Sequence, residues 1–316
     1  MTDAISRRGV LVGSLAIALT ATAAGTTGIR AWAAEGDEVV IPVTGDYTIT
    51  NASTGCQVTV KVRKGRRLIT SNGIPNTKPG TFPNPNCPNT ISPQSYSFDL
   101  PAKPKRASIT GFEIPQPFGI AVDGVLFDPY AAEFWNNDRT SGWQYYALGG
   151  GVNLGLDDNH AHVQPTGAYH YHGIPTGLLE SLSTTRHSPL VGWAGDGFPI
   201  YVQYGYANAK KGKVRAMTSS YRLKPGDRPS GPGGPYNGWF NQDYEYVAGA
   251  GDLDAANGRY CVTPEYPQGT YAYFLTPAFP SVPNAFAGTL APSFVVTGRG
   301  QGPGGGPPGP PPPPRR

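Results

Sequence analysis

The stretch Asp157-Asp158-Asn159-His160-Ala161-His162-Val163-Gln164-Pro165-Thr166-Gly167-Ala168-Tyr169-His170-Tyr171-His172-Gly173 holds four of the five histidines of the chain. It contains two H-x-H pairs, and alternate residues of a strand point to one side. Pro165-Thr166-Gly167 between them is turn chemistry, because proline presets φ and glycine accepts a positive one. A hairpin centred on Thr166 sets His162 opposite His170 and His160 opposite His172. All four imidazoles then leave one face, while Tyr169 and Tyr171 point into a core on the other. Directly opposed Cβ atoms stand about 4.5–5.5 Å apart, which lets imidazoles at those corners converge on an ion with bonds of ~2.0–2.1 Å.

The same period of two recurs on either side. Val58-Thr59-Val60-Lys61-Val62 alternates strictly, and residues 95–100, 108–114, 118–127 and 271–276 carry similar β patterns between Gly, Pro and Asn clusters. Residues 130–135 and 177–182 are expected to form short helical turns. Of 316 residues, 43 are Gly and 34 Pro, while charged residues make up only 15% and aromatic residues 11%. So low a charge excludes a long coiled coil or a charged disordered chain, and the aromatics suffice for a core. The expected fold is mainly β: a β-sandwich-like or irregular β unit with short helices and many Gly/Pro turns.

The ends read differently. Arg7-Arg8 precedes an apolar run over residues 10–19, then Ala31-Trp32-Ala33, an A-x-A cleavage pattern. Residues 1–33 are therefore read as a signal peptide of twin-arginine type, with no transmembrane segment in the mature protein. The leader carries Arg7, Arg8 and Arg30 against Asp3, a net +2, so its removal lowers the chain from +4 to +2. No dense basic stripe remains, and nucleic acid is excluded as a partner. Residues 34–297 are read as one β-rich domain, and residues 298–316, with a run of five prolines before the final two arginines, as a disordered Gly/Pro tail. The expected location is extracytoplasmic: secreted, periplasmic or cell-wall associated. There a disulfide is an option for Cys56, Cys87 and Cys261, with Cys56–Cys87 the simplest pairing.

The histidines admit two readings. In one, His160, His162, His170 and His172 hold a transition metal ion, copper or zinc, since imidazole suits both. Asp157 and Asp196 would then orient the rings, and His187 would transfer protons as the catalytic residue. In the other, the histidines form a hydrogen-bonded structural network, Asp157 starts the hairpin, Asp196-Gly197 is a turn and His187 is a turn residue. Glu265 is a further acid–base candidate, against a solvated loop charge. His170-Tyr171-His172-Gly173 resembles the H-x-H-G element of multicopper oxidases. Five histidines without a Cys-His element exclude a complete enzyme of that kind, and an N-terminal Ala34 disfavours a histidine brace.

The hairpin stretch resembles the YHYH domain family, named for residues 169–172. Ser71-Asn72-Gly73-Ile74-Pro75, residues 119–128, Val191-Gly192-Trp193-Ala194-Gly195-Asp196-Gly197-Phe198-Pro199-Ile200-Tyr201 and Gly251-Asp252-Leu253-Asp254 extend the resemblance over most of residues 70–290. The family has no settled activity to carry over. Its pattern often has histidines where this chain has Thr77 and Ala272, so any site those positions complete is smaller here. Two functions stand. One is a metal-binding protein acting as a metalloenzyme on an unknown small molecule. The other is a non-catalytic binding module for a glycan or protein, with a structural histidine network.

Overall fold

A computed structural model describes residues 28–32, 38–42, 45–179, 182–210 and 212–296. The signal-peptide reading falls on residues of which only Gly28–Trp32, a strand paired with Glu38–Pro42, is described. The tail reading lies outside the described residues.

The first unit is a four-stranded antiparallel meander: β1 Tyr47–Asn51, β2 Cys56–Arg63, β3 Arg66–Ser71 and β4 Tyr96–Pro101. The alternation at residues 58–62 decides its orientation. Val58 and Val60 are buried, and a one-residue slip would expose both. Arg67 is an exception within it, a buried cation whose guanidinium lies 4.4 Å from the Trp193 ring.

The second unit is a mixed eight-stranded sheet. Its strands are β5 Gly119–Ala121, β6 Leu126–Phe127, β7 Ala161–Val163, β8 Tyr169–Tyr171, β9 Leu190–Ala194, β10 Pro199–Tyr201, β11 Gly258–Cys261 and β12 Thr270–Phe274. The spatial order is β7-β8-β6-β5-β9-β10-β12-β11, with β8/β6 and β10/β12 parallel and the rest antiparallel. Both faces are covered. Ile120, Leu126, Trp193 and Phe274 pack with Val58, Ile69 and Phe98 of the meander. Phe127, Tyr171, Ile200 and Tyr273 enter a second cluster with Phe198 and Phe286. Each such side chain, once fully buried, contributes about 1.5–3 kcal/mol.

The protein is mainly β, as its alternation predicts, with differences in detail. The 118–127 run is two short strands, because Asp123-Gly124 turns the chain; Gly124 has φ +83°, and a Cβ there would lie 2.1 Å from Ser71 Oγ. Residues 130–135 do not make a helical turn. Tyr130–Phe134 is a strand paired with Gln144–Tyr146, so pairing overrides the helical preference of Ala131-Ala132-Glu133. Among the described residues of 177–182, the one helical element is the 3₁₀ turn Thr176–Leu178. The Cys56–Cys87 disulfide is absent. Cys56 packs in the meander-side cluster and Cys87 in the other, and all three cysteines are free.

A buried ion pair holds the peripheral loops. Asp243 accepts Nε and Nη2 of Arg228 at 2.8 and 2.7 Å and the amide of Gly238 at 2.9 Å, and both side chains are almost wholly enclosed. Asp243→Ala strands a buried guanidinium and is expected to destabilise the protein by roughly 3–5 kcal/mol. Urea denaturation measures this, and a loss below ~1 kcal/mol would show that the pair is solvated instead.

Candidate metal centre

The hairpin forms in the register its turn dictates: Ala161 pairs with Tyr171, His162 with His170 and Val163 with Tyr169. Tyr169 and Tyr171 are fully buried in the core on one side, held by Asp157 and Asp123 through their hydroxyls at 2.7 and 3.0 Å. His162, His170 and His172 leave the opposite face. Their Nε2 atoms converge: His172 lies 3.0 Å from His170 and 3.1 Å from His162. All three ligand atoms fall within 4.8 Å of one another.

The other ring nitrogens fix the protonation. Nδ1 of His162 lies 2.9 Å from the Leu154 carbonyl oxygen, Nδ1 of His172 2.8 Å from that of Asp128, and Nδ1 of His170 3.2 Å from that of Ala168. A carbonyl oxygen only accepts, so each Nδ1 carries the proton and each Nε2 presents a lone pair. Three lone pairs thus meet with no proton between them. Supplying one would require an imidazolium, and burial opposes it. His170 is pushed down to about 3, first by burial and then by His162. His172 falls well below the usual histidine range for the same reasons, and His162 is lowered by burial. Neutral imidazoles whose second N–H is anchored are what a transition metal requires of its ligands. Donors on a tetrahedral ion with bonds of ~2.0–2.1 Å stand about 3.3–3.4 Å apart, so the two pairs that His172 makes, at 3.0 and 3.1 Å, need only a few tenths of an ångström of adjustment, and all three ligand atoms already lie within 4.8 Å of one another.

His160 is not part of this group. Asp157 accepts the amides of Asn159 and Ala161 on Oδ1, which draws residues 157–160 into a tight turn. His160 takes φ +55° there, strand alternation starts only at Ala161, and Nδ1 of His160 donates to the Ile174 carbonyl at 2.9 Å. The four-histidine face expected from the spacing is therefore a three-histidine face. Asp157 shapes the hairpin and bonds Tyr169 and Gly80 rather than an imidazole.

The other singled-out residues lie elsewhere. His187 packs against Tyr201, Tyr206 and Phe274. Tyr201 belongs to β10, four strands from β8, or roughly 19 Å at ~4.8 Å per strand. Asp196 accepts the Tyr273 hydroxyl and the Gly288 amide, tying Ala285–Gly288 to the sheet. Glu265 is buried and accepts the Tyr201 hydroxyl at 2.7 Å. Ala272 lies in the core on β12, and Thr77 faces Gly177.

A cavity of about 900 Å³ opens beside the triad, with His162, His170, Asp128, Glu133 and Arg139 in its wall. Burial pushes Asp128 up to about 7. Oε2 of Glu133 is enclosed without a hydrogen-bond partner, and the charge of Glu133 acts on His162. Sequence reasoning missed Asp128, Glu133 and Arg139. Asp128 closes the segment 119–128 singled out above, but nothing local marks the other two.

The family model described as "YHYH protein" matches residues 97–288, which include the whole eight-stranded sheet and the triad. This chain belongs to the YHYH family. No curated protein and no solved structure matches it. Among the described residues of this YHYH protein, no helix is long and apolar enough to cross a membrane.

Proposed function

We propose that the protein binds one transition metal ion, copper or zinc, through Nε2 of His162, His170 and His172, and that it acts as an extracytoplasmic metalloenzyme on a small molecule. One observation carries the reading. Every Nδ1–H faces a backbone carbonyl, so the three converging Nε2 atoms are lone pairs aimed at one point, the arrangement that a metal ion requires of its ligands. A structural network without metal would need an N–H between the rings, and burial disfavours the extra proton. The open cavity against two of the three rings, with Asp128, Glu133 and Arg139 in its wall, favours catalysis over a closed structural site, because a catalytic ion keeps one position open. The bound ion would supply Lewis acidity, or redox chemistry if it is copper. The leader carrying Arg7-Arg8 supports the extracytoplasmic part of the proposal.

Elemental analysis of tag-free protein purified without chelator tests this. About one copper or zinc per chain is expected. Metal at ~1,000 times its dissociation constant should stabilise the fold by about 4 kcal/mol. For a domain of this size that raises the melting temperature by about 10 °C, and chelator should reverse it. A chain that purifies metal-free and shows no thermal response to copper or zinc would sink the proposal.

A further inference from the structure

Resting on that metal reading, we infer that the cavity beside the triad is a substrate pocket for a small organic anion that also bears a hydroxyl or amino group. Arg139 takes the anionic head, and Glu133 takes the hydrogen-bond donor. Three features of the wall carry this.

The first is volume. About 900 Å³ lies within the range that encloses small ligands, and a space of that volume is on the order of 10 Å across. The triad, Glu133 and Arg139 are therefore all within reach of one hydroxy acid or amino acid, extended by ordered water where it is shorter.

The second is charge. The three imidazoles are neutral, so a divalent ion on them adds two positive charges to one wall. Arg139 adds a third, and among the described residues no carboxylate pairs with it. Its guanidinium stacks 5.6 Å from the Phe134 ring, which leaves its fork of donors for a ligand. Glu133 and Asp128, even with both carboxylates ionised, offset only two of these three charges, and a neutral polyol would leave the rest unanswered.

The third is the carboxylate itself. Oε2 of Glu133 is buried without a partner, a state that costs free energy unless something donates to it. Glu133 lines the cavity, so a ligand hydroxyl or ammonium there meets that need once the carboxylate turns to present this oxygen. An anion without a donor, such as acetate, satisfies Arg139 and leaves Glu133 unpaired.

The test uses the full mature chain loaded with Co(II), whose visible spectrum reports ligands near the ion. Cobalt stoichiometry is measured first, and the protein is then titrated with glycolate, acetate, ethylene glycol and inorganic phosphate. Glycolate is expected to perturb the spectrum saturably and more tightly than acetate, with ethylene glycol silent. Arg139→Gln should weaken glycolate roughly tenfold to a hundredfold at unchanged cobalt content. Glu133→Gln should narrow the preference for glycolate over acetate, with thermal melting confirming that it folds. Cobalt bound at one per chain with no response to glycolate, or with equal glycolate affinity in wild type and Arg139→Gln, overturns the pocket and leaves the metal site standing. Phosphate binding tightest overturns the organic-anion class. A chain that takes up no cobalt overturns the metal reading and this inference with it.

Discussion

Replacing His172 with alanine is expected to lower metal affinity by at least about a hundredfold, while His160→Ala leaves stoichiometry and affinity nearly unchanged. Structural zinc sites hold their ion with about 10–16 kcal/mol spread over four ligands, so one lost imidazole costs roughly 3 kcal/mol, about a hundredfold. His172 should be the most sensitive position. Its Nε2 lies within 3.1 Å of both partners, and its Nδ1–H is anchored on the Asp128 carbonyl. His160 points to Ile174 and contributes only to the hairpin turn. Competition against a chelator of known affinity measures both variants. Equal losses in the two would mean that the four-histidine arrangement, not the triad, binds the ion.

Acidification from pH 7 to pH 4 should cost the wild type about 3 kcal/mol more than a His187→Phe variant. Burial holds His187 down at about 4, against 6.5 for the free side chain, with Arg259 lowering it further. The unfolded chain therefore binds a proton as pH falls through 6.5 that the folded chain refuses until about 4. The stabilising effect of the neutral ring is whole above pH 6.5 and is lost across that window. The comparison must be made against the variant. Asp123, pushed by burial up to about 6, and Asp128, pushed up to about 7, act in the opposite direction over the same range. Parallel urea titrations of the two proteins at several pH values give the difference directly. A difference independent of pH would place His187 in contact with water.

The sequence and the structure agree where the physics is local. The strict alternation at Val58–Val62 predicts which side chains are buried in β2, since a strand has only two faces. Pro165-Thr166-Gly167 predicts the hairpin register to the residue, because turn geometry sets pairing. They diverge where a distant strand pairs with a segment, or where a local side chain breaks the strand period. Ala131-Ala132-Glu133 has helical preference, yet it lies in a strand because Gln144–Tyr146 pairs with it. His160 keeps the spacing of a ligand, but the Asp157 carboxylate turns its backbone. The Asp157-Asp158-Asn159 run carries that turn signal, and a strict period of two passes over it.

The amino-acid sequence by itself determined a mainly β chain, a hairpin centred on Thr166 and a histidine cluster opposite two tyrosines. Each of these follows from strand period and turn chemistry, which act over a few residues. Only the tertiary structure decided that three imidazoles meet rather than four, and that their Nδ1–H groups are spent on the carbonyls of Leu154, Asp128 and Ala168. It alone brought Glu133 and Arg139 to the same cavity and set His187 four strands away. The reason is that tautomer, burial and a shared cavity depend on groups contributed by separate strands and loops. Their distances in space are fixed by sheet order and core packing, which no spacing along the chain encodes.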